Sequence, residues 1–325
     1  MGWSVIGHRW AVDLLVRSLE TNKVSHAYLL VGLPHIGKTT LARGLAQALN
    51  CVGASPPCGV CRSCWLVQAD KHPDVRVLAP ENGHIKIEDI RDLQRMAALS
   101  PVEGWYRVFV ISQVDQATAS AANGLLKTLE EPPERVVLLL TASRMESLLP
   151  TIVSRCQVLN LRPLSIKEVV ATLLSRGVDK ARAELLGRLS GGRVGWAIAA
   201  ADDRDVLERR NAIVEKLIEI EQGSYTTRFS FADQWSKKPD HVSELLWVLG
   251  SWWHDVLLLA SGSDVPITNT DRALEIERWA ARFGVSAAAQ TLQAIHQTTW
   301  RLEHNANLRL ALEVLMLDMP SRHRL

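Results

Sequence analysis

The chain has 325 residues, enough for two or three domains at about 150 residues each. With 47% hydrophobic and 22% charged residues it is expected to bury a core, so disorder is not the default. Its 37 basic residues against 35 acidic ones leave a formal charge of only +2. That excludes a polybasic footprint, and any hold on nucleic acid has to be local or shared with partners.

The opening MGWSVIGHRW lacks the basic start and apolar run of a signal peptide, and Ile6 breaks the myristoylation pattern. Uninterrupted apolar runs such as Trp196–Ala201 and Val256–Ala260 fall far short of the roughly 20 residues that cross a bilayer. A cytoplasmic location without a membrane partner is expected, and with it five reduced cysteines.

From Val24 to Pro163, strand-like apolar runs alternate with helical patterns. Ala27–Val31 reads as a strand and Thr39–Leu49 as a helix. Arg107–Ser112 and Val136–Thr141 read as further strands, and between them Ala117–Glu131 is a helix stopped by Pro132–Pro133. Such alternation predicts βαβ units and a parallel sheet covered by helices. After Pro163 the strand signal disappears. Leu164–Ala200 reads as helices interrupted by Gly191–Gly192, and the chain from Asp205 onward is helical and rich in tryptophan. The expected fold is α/β plus all-α. Residues 1–163 form a P-loop domain carrying a cysteine module at 51–64, residues 164–204 a small helical domain, and residues 205–325 an all-helical domain.

Gly32-Leu-Pro-His-Ile-Gly-Lys-Thr39 fits G-x-x-x-x-G-K-[ST] between a strand and a helix. Glycines let backbone N–H groups turn inward around phosphate oxygens. Lys38 brings a point charge to the β- and γ-phosphates, Thr39 offers a hydroxyl to Mg²⁺, and the helix N-terminus adds its dipole. Gly32, Gly37, Lys38, Thr39 and Thr40 are the candidate ATP–Mg²⁺ ligands; the bland alternative is a glycine turn between strand and helix.

Cys51, Cys58, Cys61 and Cys64 place four thiols within fourteen residues, with Gly53, Pro56, Pro57 and Gly59 supplying turns. In a reducing compartment this spacing suits a closed, structural tetrahedral Zn²⁺ site. An iron–sulfur cluster and disulfides are the chemical alternatives. Cys156, alone beside a strand, is expected in a core.

In the helical half, Val248, Trp252, Val256 and Leu259 recur at helical spacing, as do Leu308, Leu312, Leu315 and Met316; a self-contained helical core explains both sets. Basic residues do not interleave with the tryptophans as base-stacking platforms would require. The fingerprint G-x-G-x-x-G is absent, which argues against a dinucleotide-binding dehydrogenase.

Four segments carry a family resemblance: Ser25-His-Ala-Tyr-Leu before the P-loop, the four-cysteine module after it, Ala121-Ala-Asn-Gly-Leu-Leu-Lys-Thr-Leu-Glu-Glu-Pro-Pro133, and Ser154-Arg-Cys156. Together they resemble the bacterial clamp-loader ATPases, the AAA+ subunits of DNA polymerase III that include the γ/τ motor and the δ′ branch. The resemblance is specific over about Val5–Leu164 and architectural beyond it, and Gly124 stands where the family usually has alanine. It implies an AAA+ sheet domain, a helical lid and a helical collar that packs into a ring. It also implies that Arg155 is an arginine finger presented to ATP on the neighbouring subunit, where a guanidinium stabilises charge developing on the γ-phosphate. Thr141 or Ser143 would sense that phosphate, and spacing does not choose between them.

Two departures are informative. Where the motor members carry a magnesium-binding Asp and a water-orienting Glu, this chain has Ser112 and Gln113. Asp115 comes too late and reads as belonging to the N-cap side of the next helix. Gly195 falls where the family's second sensor arginine is expected, with Arg193 nearby but out of register. A retained finger with weakened acids fits the δ′ branch, whose own ATP hydrolysis is expected to be weak or absent. The length also leaves no room for a τ-type extension. The alternatives are an active γ/τ-type ATPase, or an unrelated P-loop protein whose zinc knuckle binds nucleic acid directly. For δ′, the implied partners are the γ/τ and δ subunits, the β sliding clamp, and primer–template DNA through the complex.

Overall fold

The structure is a computed structural model that describes residues 2–81, 83–304 and 306–320. In chain order the principal elements are α1 (Arg9–Glu20), β1 (Ala27–Val31), α2 (Lys38–Leu49), α3 (Arg62–Gln68), β2 (Val75–Leu78), α4 (Ile87–Ala97), β3 (Arg107–Ile111), α5 (Ala119–Glu130), β4 (Val136–Ala142), α6 (Pro150–Val153) and β5 (Gln157–Asn160). Helices alone follow: α7 (Ile166–Ser175), α8 (Lys180–Leu189), α9 (Val194–Asp202), α10 (Val206–Gln222), α11 (Tyr225–Ser236), α12 (Val242–Ala260), α13 (Ala273–Glu303) and α14 (Leu308–Asp318). The architecture is the α/β plus all-α arrangement expected from the sequence. By packing, the chain divides into two units, residues 1–172 with 192–196, and residues 173–191 with 197–325. Among the described residues no helix is long and apolar enough to cross a membrane.

In the first unit the five strands pair in parallel in the order β2-β3-β4-β1-β5. Strands β1, β3 and β4 are buried along their whole length because helices cover both faces. Their side chains alternate between two cores. Tyr28, Leu30, Val108, Val110, Val137 and Leu139 pack with Leu41 and Leu45 of α2. Ala27, Leu29, Phe109, Ile111, Leu138 and Leu140 pack with Ile90 of α4 and Leu125 of α5. Strand β2 was not anticipated: it is only four residues long, lies at the sheet edge, and exposes Arg76.

The second unit is held by an aromatic cluster on α12 and α13. Trp279 meets Trp252 edge-on at 5.4 Å between ring centroids, and Trp253 and Phe283 lie within 5.5 Å of it. Trp252 and Trp253 are fully buried, which is the core role expected for the apolar stripe of α12. Helix α13 breaks at Gly284, whose φ of 66° lies outside the helical region. A second device is Arg228, buried on α11. Its guanidinium donates to the carbonyls of Met316 at 2.8 Å, Met319 at 2.7 Å and Pro320 at 2.7 Å, closing the C-terminal end of α14.

Candidate nucleotide site and metal centre

Strand register assembles the site. Val31 pairs with Ala142, and Ile111 with Leu140, so the chain leaves the sheet at Gly32, Ser112 and Ser143 along one edge. That edge is the carboxyl end of a parallel sheet, where ligands of open α/β folds bind. The Gly32 N–H donates to the Ala142 carbonyl at 3.2 Å, and a Cβ on Gly32 would stand 2.6 Å from the Leu161 carbonyl oxygen. Only glycine fits there. Gly37, with φ 107°, turns the chain into α2, whose first residues are Lys38, Thr39 and Thr40. The opening N–H groups of a helix have no intrahelical partners, so this turn is built to receive an anion.

The Lys38 ammonium folds back onto the loop and donates to the carbonyls of Gly32 and Leu33, the latter at 2.9 Å. Burial pushes it down to about 8, against the pull of Asp115. His35 is also held below its ordinary value, by burial and then by Arg193 and Lys38. Three cationic or basic groups therefore crowd the loop, a potential suited to phosphate.

Asp115 does not cap the next helix. Thr118 is the N-cap of α5, its hydroxyl accepting from the Ala121 N–H. Asp115 lies instead in a short 3₁₀ turn, Val114–Gln116, entered through Gln113 in the left-handed region with φ 52°. That turn brings its carboxylate back within electrostatic reach of Lys38. One oxygen accepts from the Ser143 N–H at 2.9 Å, and the other is buried without a hydrogen-bond partner among the described residues. Sequence spacing missed this residue because it counts positions along the chain, whereas one left-handed residue reverses the chain's direction. The two candidate sensors are placed differently. Thr141 is 1% exposed and its hydroxyl accepts from the Gln113 N–H at 3.0 Å, while Ser143 is half-buried just beyond β4.

Gly195 lies against the phosphate loop. Its N–H donates to the His35 carbonyl at 2.8 Å. Arg193 is near enough to His35 to act on it electrostatically, its guanidinium is held down to about 10 by burial, and its charge lies 5.7 Å from the Trp196 ring centroid. Sequence register had set Arg193 aside; the structure brings it to the loop.

Arg155 follows the short helix α6 and is partly exposed. Its guanidinium pairs with Glu130 at 2.7 Å and donates to the Thr151 carbonyl at 3.0 Å. Glu130 is the last residue of α5, so the two segments that carried much of the family resemblance touch through this pair. Nothing in the sequence pattern pointed to Glu130.

Cys51 follows α2, Cys61 is the N-cap of α3, and Cys64 lies in its first turn. The four sulfurs of Cys51, Cys58, Cys61 and Cys64 lie within 4.8 Å of one another, a set that could hold a metal ion, and none is in a disulfide. Backbone N–H groups point at them: Gly53 and Cys58 donate to Cys51 Sγ at 3.3 Å, and Cys61 donates to Cys58 Sγ at 3.3 Å. Such donors favour thiolate. Burial opposes ionisation of Cys61, yet the N–H groups of Cys64 and Val52 and the neighbouring thiols bring it down to about 6. Burial pushes Cys64 up to about 12. Four thiolates this close repel one another unless a cation lies between them.

The chain is similar to known proteins. The family model described as "DNA polymerase III, delta subunit" matches residues 7–165, and "DNA polymerase III, delta subunit, C terminal" matches residues 204–320. The chain is 30% identical to DNA polymerase III subunit delta′ of Bacillus subtilis over 94% of each protein. It is 35% identical to DNA polymerase III subunit tau of Escherichia coli over 51% of this chain and 26% of that one. A solved structure of a DNA polymerase III gamma subunit-related protein from Thermotoga maritima is 20% identical over 94% of this chain and 97% of that one, with a TM-score of 0.45.

Proposed function

This chain belongs to the DNA polymerase III subunit delta′ family, and on that premise we propose that it is the δ′ member of a clamp loader. In this role it helps load the β sliding clamp onto primed DNA in the cytoplasm, together with γ/τ and δ subunits. Residues 1–163 act as the nucleotide-binding domain, 164–204 as its lid and 205–325 as the collar that joins the ring. The observation that carries the reading is the surface position of Arg155, whose guanidinium is held, among the described residues, by an exposed carboxylate and local oxygens. Such a group can be released to a neighbour's γ-phosphate at little cost.

In its own pocket Gly32, Gly37, Lys38, Thr39 and Thr40 would bind ATP with Mg²⁺, whose chemistry would be to draw charge from the transferring phosphate. Ser112 and Gln113 supply neither a carboxylate for the metal nor a base for water, so hydrolysis there is slow. Cys51, Cys58, Cys61 and Cys64 hold a structural zinc that folds the module between α2 and α3.

The deciding experiment is ATP turnover by a loader reconstituted with γ/τ and δ. Arg155→Ala should depress it while the complex still assembles, and the isolated chain should hydrolyse ATP negligibly. A second reading, an active γ/τ-type motor, is favoured by one observation: the Asp115 carboxylate beside Lys38. Robust turnover by the isolated chain, lost in both Lys38→Ala and Asp115→Asn, would establish that reading in place of the first.

A further inference from the structure

The helical unit contains a cleft that the nucleotide site does not explain. It encloses about 470 Å³ between α10 and the end of α11, a volume in the range of small-ligand pockets. Trp235 lines it. The indole is half-buried, resting on the helical core with its ring 5.9 Å from that of Phe231.

Basic side chains share the lining with that ring. Lys238 Nζ lies 5.7 Å from the Trp235 ring centroid and makes no ion pair among the described residues. Lys216 enters from α10, and its partner Glu219, at 2.6 Å, is an exposed i,i+3 neighbour. Exposed pairs of that kind are worth little and exchange readily. Arg209, also in the lining, is more firmly engaged by Asp203 at 2.6 Å. The cleft's one lining carboxylate, Glu244, lies 3.7 Å from Arg209 and 3.4 Å from His241. The mobile charge facing the cavity is therefore positive, and it flanks an aromatic face.

An aromatic plate with a displaceable lysine over it and a second lysine in the same lining offers stacking to a planar ring and charge to an attached anion. We propose that this cleft binds a nucleoside phosphate, either free or as one residue of a single strand. Stacking takes the base and Lys216 and Lys238 take the phosphate. The sequence pattern alone argues against the tryptophans as stacking platforms, because basic residues do not interleave with them. For Trp235 the fold supplies a cation that the pattern does not show, since Lys216 lines the same cleft from another helix. The site lies in a different unit of the chain from the phosphate loop and does not depend on the clamp-loader role.

The test uses the full-length protein in EDTA, which deprives the phosphate loop of magnesium. A fluorescein-labelled oligothymidylate is titrated at low salt and followed by anisotropy. Binding is expected, and Trp235→Ala should weaken it by about tenfold, the effect of losing one stacked base. Lys216→Glu with Lys238→Glu should weaken it comparably and lower the salt dependence by about one ion, consistent with phosphate contacts. Both lysines are surface residues, so this variant decides the matter should Trp235→Ala fail to fold. Displacement by thymidine monophosphate identifies a free nucleotide as sufficient ligand, and failure to displace identifies a strand residue. No binding of either probe, or wild-type affinity in the charge-reversed variant, would overturn the proposal.

Discussion

The backbone N–H of Gly195 donates to the His35 carbonyl at 2.8 Å, and a Cβ placed on Gly195 would stand 2.7 Å from that same oxygen. The first turn of α9 thus lies on the phosphate loop by backbone contact, in space where a side chain has no room. Gly195→Ala should therefore cost about 1–3 kcal/mol of stability, read as a lowered urea midpoint. Gly195→Arg, which writes in the family's sensor residue, should destabilise further and restore no hydrolysis. A Gly195→Arg protein as stable as the parent and active on ATP would overturn this steric reading and mark the position as that of the sensor arginine.

Lys38 gives a pH signature. Its folded value is about 8, whereas an unfolded chain keeps the proton to about 10.4. Between those values the unfolded state binds more protons, so this residue's contribution to stability becomes more favourable as pH rises through the window, and its burial cost is present in full below pH 8. Binding runs the other way. Phosphate requires the ammonium, so affinity for ATP should fall as pH climbs above about 8. Lys38→Ala should bind weakly at every pH. Fluorescent-nucleotide titrations from neutral to alkaline pH check this, and a flat wild-type profile would exclude Lys38 from the phosphate contact.

Purified protein should carry stoichiometric zinc, measurable by atomic emission. Cys58→Ser and Cys61→Ser should each abolish it and lower the melting temperature, because the metal's binding energy is part of what folds the module. Visible absorption and bound iron would instead assign an iron–sulfur cluster.

Glu130 and Arg155 should separate in their effects. Removing the guanidinium by Arg155→Ala is expected to cut the reconstituted loader's ATPase by about an order of magnitude or more. Glu130→Gln breaks only an exposed ion pair, so it should change the rate less than about fivefold. Equal losses in both variants would mean that the pair's structure, not the finger, supports activity.

The fold was legible wherever burial wrote a pattern. Runs such as Ala27–Val31 and Val136–Ala142 are apolar on both faces because helices cover both faces, and the run itself reports that. The cysteine cluster was legible for a similar reason, since the donors that meet in space are neighbours in sequence. Asp115, Arg193 and Glu130 were not. Each reaches its place through a backbone reversal or another element, and no local periodicity encodes a contact such as Arg155 with Glu130. Lys216 likewise shares the Trp235 cleft from α10, a placement that no scan of the tryptophan's own neighbours shows.

Arg228 takes its acceptors from residues 88 to 92 positions further along. Burying that guanidinium before those carbonyls are in place forfeits three charge-assisted hydrogen bonds, at a cost of several kcal/mol. Closure of the helical unit around Arg228 is therefore coupled to the docking of α14, so the two ends of this half are expected to fold as one cooperative piece.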